Sequence, residues 1–145
     1  MSGVISKLFK DIFVFGDTLR NGVFLTVGDL NGDGFADLIS GGGPGGGPRV
    51  LALSGKDLLA GNTTVLADFF AGDPDSRNGI RVGTADLDGD GKADLVVGAG
   101  QFTGARVVVY LGKDITRTGT PPTTDEFDAF RVGSESAFSG GVFVG

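Results

Sequence analysis

The sequence predicts an all-β fold built from a repeated four-stranded unit. Three observations carry this. Glycine is abundant, with 28 copies among 145 residues, at turn-like positions and without a collagen period. Short β-branched runs lie between those glycines. Finally, the chain matches itself at an offset of 57 residues.

The self-match runs without a gap from Arg20–Asp57 to Arg77–Asp114, and 19 of the 38 aligned positions are identical. Each copy reads as four short strands. The first strands are Val23–Val27 and Ile80–Thr84, the second Leu38–Ile39 and Leu95–Val97. The third are Val50–Leu53 and Val107–Leu111, the fourth Val65–Phe70 and Phe127–Val132. Asp11–Phe15 falls in the register of Asp68–Phe70 and reads as a lone fourth strand. Gly141-Val142-Phe143 repeats Gly22-Val23-Phe24 and opens a third copy.

A four-stranded repeat of this length is a propeller blade. The chain divides into a lone outer strand (9–19), blade repeats at 20–76 and 77–137, and the start of a third at 138–145. That makes about two and a half repeats of an incomplete propeller, a piece of a longer one or a chain derived from it. Apolar flanks and strand edges left open in this way predict self-association.

Composition removes several chemistries. There is no cysteine and no histidine, so thiolate and imidazole metal sites and histidine-based triads are excluded. A net charge of −6 without a basic stripe argues against nucleic acid. No apolar run has the length of a membrane span, so no membrane insertion is expected. Gly98–Gly104 imitates a dinucleotide loop, but a strand follows it where a Rossmann turn needs a helix. Phe13, Phe69 and Phe70 read as inter-blade packing. Arg49 and Arg106 read as partners of loop carboxylates.

The chemistry sits between the first and second strands. Asp29-Leu30-Asn31-Gly32-Asp33-Gly34-Phe35-Ala36-Asp37 recurs as Asp86-Leu87-Asp88-Gly89-Asp90-Gly91-Lys92-Ala93-Asp94. Alternate positions 1, 3 and 5 bring side-chain oxygens to one side of a tight turn, and glycine at position 6 permits the bend. The position-7 carbonyl and the position-9 carboxylate complete an oxygen shell for Ca2+. The ligands are Asp29, Asn31, Asp33, the Phe35 carbonyl and Asp37 in one loop. They are Asp86, Asp88, Asp90, the Lys92 carbonyl and Asp94 in the other. Position 12 is Ser40 or Val97 rather than glutamate, and strands flank both loops, so these are not EF-hands. Seven carboxylates in two nine-residue loops exceed the whole net charge, and such crowding calls for a cation. Four acids against three rank the second loop as the tighter site.

These loops, with Phe15-Gly16, resemble the FG-GAP/VCBS repeats, the calcium-binding blades of integrin-α-like seven-bladed propellers. Gly42-Gly43-Pro44 and Gly98-Ala99-Gly100 stand where that family has Gly-Ala-Pro. The resemblance implies a non-enzymatic module for binding or adhesion, with structural calcium and a protein or glycan ligand. It also implies an extracellular or cell-surface parent protein, no signal segment being present in this chain. A carbohydrate-binding or carbohydrate-active propeller is the alternative. No acid, base or nucleophile converges outside the loops, so no catalytic residue is assigned.

Overall fold

The computed structural model describes residues 6–100, 106–122 and 141–145. Strands β1 (Val23–Gly28), β2 (Asp37–Gly42), β3 (Arg49–Leu53) and β4 (Val65–Phe70) form one antiparallel sheet in chain order. A short helix α1 (Gly55–Leu59) separates β3 from β4. Strands β5 (Ile80–Ala85), β6 (Asp94–Ala99) and β7 (Val107–Tyr110) form the second sheet, followed by a 3-10 turn at Gly112–Asp114. The pairing register is conserved between copies. Gly28 faces Asp37 as Ala85 faces Asp94, and Leu38 faces Leu53 as Leu95 faces Tyr110. The strand expected at Phe127–Val132 lies outside the described residues.

Two features were not expected from the sequence: α1 and its 3-10 counterpart. Ser54 caps α1 by accepting a hydrogen bond from the Asp57 N–H at 3.3 Å. Leu111 stands at the equivalent position and cannot cap, so the second copy makes only the tighter turn.

Side chains alternate between sheet faces, and that alternation sorts the core. Ile39, Val50, Ala52, Ala67 and Phe69 leave one face of the first sheet and meet Ile80, Val82, Leu95, Val97, Val108 and Tyr110 of the second. The counterpart of Val50 by offset is Val107, yet Val108 joins this core. A shift of one residue means the opposite face. The blades therefore pack head to tail, the back of the second on the front of the first. Phe69 and Tyr110 cross this seam edge-on, with ring centroids 5.1 Å apart.

The seam is close enough to require glycine. A Cβ on Gly41 would strike the Ile80 carbonyl, and one on Gly98 would strike the Val142 carbonyl. Thus residues 141–145 meet the second blade as β5 meets the first. Val142 N–H donates to the Ala99 carbonyl at 3.0 Å. Phe24, Arg81 and Phe143 hold the same place in the three copies. The Arg81 guanidinium lies 5.0 Å from the Phe24 ring centre and 4.1 Å from that of Phe143. Among the described residues, 141–145 join no ladder.

The amino-terminal reading needs correction. Residues 11–15 form no strand among the described residues. Instead Ile12, Val14 and Phe15 cover Leu51, Leu53 and Leu58 on the back of the first sheet. Phe13 is 85% exposed and Phe70 39% exposed, so neither is inter-blade core. Phe69 and Phe70 are consecutive and must point to opposite faces. Arg49 also pairs differently from expectation. Its Nε and Nη2 form two bonds, of 2.7 and 2.6 Å, to Asp68 on β4, a strand carboxylate rather than a loop one. The Arg49 contact holds the Asp68 carboxyl below its ordinary range.

Phe69→Ala should therefore cost about 3–5 kcal/mol of unfolding free energy by urea titration. Phe70→Ala should cost under about 1 kcal/mol. Similar losses for the two would contradict the face assignment.

Candidate metal centre

Both acidic loops are held by their own side chains. Asp29 Oδ1 accepts hydrogen bonds from the N–H groups of Gly32 (2.8 Å) and Asp33 (3.1 Å), and its Oδ2 accepts from Gly34 (2.7 Å). Asp86 does the same for Gly89 at 2.8 Å and Gly91 at 3.1 Å. Position 3 follows suit. Asn31 accepts from Asp33 N–H at 2.9 Å, and Asp88 accepts from Asp90 N–H at 3.2 Å. At position 5, Asp33 and Asp90 accept from the N–H of Phe35 (3.0 Å) and Lys92 (2.8 Å). Gly34 and Gly91 have φ of 84° and 85°, the left-handed bend that position 6 needs.

Position 9 is different in kind. Asp37 and Asp94 are fully buried. Each carboxylate ties the loop to the end of β3 or β7. Asp37 accepts from Leu30 N–H at 2.9 Å and Gly55 N–H at 3.0 Å. Asp94 accepts from Leu87 N–H at 2.7 Å and Gly112 N–H at 2.8 Å. Burial pushes the Asp37 carboxyl above its ordinary value. The two backbone donors pull it back, and the nearby charges of Asp33 and Asp29 push it further up.

Carboxylate oxygens of Asp86, Asp88 and Asp94 lie within 4.8 Å of one another, the only such acidic group of three among the described residues. Asp90 stands outside it. In the first loop Asn31 replaces the central acid, and Asp29, Asp33 and Asp37 do not gather so closely. The donors are all oxygen, which fits a hard divalent cation and not a soft metal. The two loops also touch. The N–H of Ala93 donates to the Asp29 carbonyl at 2.8 Å. The stem of Lys92 lies against Gly32 of the first loop, while Phe35 carries the Lys56 ammonium 5.7 Å from its ring centre.

Sequence reasoning did not find the contact between Lys113 and Asp88, at 2.7 Å. The Lys113 ammonium holds Asp88 below the usual carboxylate range. Twenty-five residues separate the pair. The signal that could have found it is the conserved offset itself, since Lys56 occupies the same place in the first copy.

Meander sheets packed face to back, each with an acidic loop between its first and second strands, have the arrangement of β-propeller blades. Residues 78–112 match the FG-GAP repeat family, and the chain carries an integrin-like FG-GAP repeat. It is similar to rat integrin alpha-7, with 32% identity over 148 residues, covering 96% of this chain and 13% of the relative. Mouse integrin alpha-7 is 31% identical over 148 residues, covering 96% of this chain and 12% of the relative. Human integrin alpha-7 is 31% identical over 137 residues, covering 89% of this chain and 12% of the relative. The chain thus spans about an eighth of the length of these relatives. No solved structure matches it.

Asp37→Ala and Asp94→Ala should each destabilise the fold by about 1–3 kcal/mol for each of the two buried donors left unpaired. The loss should appear in chelator as well as in calcium, because it arises in the backbone. Denaturant melts in both conditions measure it. A loss confined to calcium-containing buffer would show that these carboxylates serve the metal alone.

Proposed function

We propose that this chain is a calcium-binding propeller module of the adhesion type, working outside the cell as a binding surface and not as an enzyme. One observation carries the reading. An all-oxygen acidic loop occupies the same place in both blades, and in one of them three carboxylates converge within 4.8 Å. Calcium has a structural role in this reading. The loop draws its carboxylates together through backbone bonds, and a divalent cation offsets their repulsion. Asp29, Asn31, Asp33, Asp37 and the Phe35 carbonyl hold the first ion. Asp86, Asp88, Asp90, Asp94 and the Lys92 carbonyl hold the second. The likeness to integrin alpha-7 supports the adhesion class, and the ligand it recognises is a protein or a glycan.

A ligand that binds only the native state adds about 2.7 kcal/mol per site at a hundredfold excess over Kd. Excess chelator should therefore lower the thermal midpoint by on the order of 10 °C. An unchanged midpoint defeats the calcium reading.

The same packing supports self-association. Ile80, Val82 and Thr84 lie on the back of the second blade, and the first two are buried in the seam. Their counterparts Val23, Leu25 and Val27 are 37%, 57% and 61% exposed on the back of the first blade. Residues 12–15 cover the third-strand side of this back face and leave its first-strand side open; in the seam that side is covered by the front of another blade, so the fitting occupant is a blade of a second copy. Light scattering after size exclusion should show an assembly larger than a monomer at micromolar concentration. Leu25→Glu with Val27→Lys should reduce it to the monomer. A wild-type monomer at that concentration would overturn this.

A further inference from the structure

The two loops differ at position 3, and a lysine elsewhere in the blade responds to that difference. Lys56 and Lys113 occupy the same place in the repeat, just after the third strand. In the first blade position 3 is Asn31, a neutral amide, and Lys56 turns to the Phe35 ring. In the second blade position 3 is Asp88. Lys113 reaches it with Nζ 2.7 Å from Oδ2, its side chain half exposed while that of Asp88 is 16% exposed. Asp88 is one of the three carboxylates that converge. Its other oxygen already accepts from Asp90 N–H. The remaining charges about this ammonium are those of Asp90 and Asp114.

We propose that Lys113 is a built-in counter-ion of the second acidic loop, and that calcium must displace its ammonium from Asp88 to bind there. The inference rests on the calcium reading above. A divalent ion among Asp86, Asp88 and Asp94 repels an ammonium at ion-pair distance from one of its own ligands. It therefore enters the second loop at the cost of an ion pair, which the first loop does not have among the described residues. The extra carboxylate of the second loop is matched by the extra ammonium. Counting acids alone therefore overstates the affinity of that site. Lys113 is a positioning residue that sets metal affinity from outside the shell.

Calorimetric calcium titration of the full chain decides the matter, in an Asp33→Ala background that silences the first loop. Lys113→Met and Lys113→Gln should each tighten the second-site Kd by roughly two- to fivefold. Lys113→Arg should leave Kd near that of the parent. With Asp88→Asn also present, the effect of changing Lys113 should vanish. Calcium binding in the background that is unchanged or weaker in both neutral variants overturns the counter-ion role and leaves the calcium reading standing. It would mean that Lys113 is inert or preorganises Asp88 for the ion. No calcium binding in the parent chain or any variant overturns both.

Discussion

The fold turns on one buried carboxylate used twice. Asp37 and Asp94 are fully buried, a position that a carboxylate tolerates only when its oxygens are satisfied. Each is satisfied by two backbone N–H groups from the same end of its sheet, one in the acidic loop and one just after the third strand. This places the loop over the sheet and sets where β2 and β6 begin. It also gathers the other acids of the loop close to a group that is already desolvated. The concentration of charge follows from the way the blade is closed. The chemistry of the loop is in that sense a by-product of its architecture, and the same carboxylate serves both.

Blade-to-blade packing imposes the second constraint. The front of one sheet meets the back of the next so closely that Gly41 and Gly98 leave no room for a Cβ beside a neighbouring carbonyl. The two acidic loops are drawn into contact by the same packing, through the bond from Ala93 N–H to the Asp29 carbonyl. Ala93 lies between two proposed ligand positions of its own loop. The seam therefore reaches from the Phe69–Tyr110 ring contact to the sites themselves.

Much of this was legible in the amino acids because it is local and repeated. The identities between Arg20–Asp57 and Arg77–Asp114 mark turn glycines, the aspartates of the acidic loop and two apolar strand residues, Leu38/Leu95 and Val50/Val107. The strand order and the place of each acidic loop follow from them. What escaped depends on orientation or on distance along the chain. Phe69 and Phe70 look alike in composition, and only the sheet decides which of them is core. Asp11–Phe15 has a strand-like pattern, but a strand also needs a partner edge. Asp68 could be assigned to Arg49 only once β3 and β4 were seen side by side. Helix α1 is a single turn, too short for a periodic signal, although Ser54 and Asp57 hold its cap. Asp37 and Asp94 read as ligands from their spacing; their service to the backbone shows only in three dimensions.

The head-to-tail seam has a direction. The back face of the second blade meets the front of the first, so the relation is one of rotation and advance, not of two-fold exchange. Repeats related in this way behave as a one-dimensional array in which each unit is stabilised by its neighbour. A chain emerging amino terminus first presents the front of one blade before the back of the next has been synthesised. The second blade thus arrives at a finished template. The asymmetry of the seam is a vector for folding, running along the chain in the order of translation.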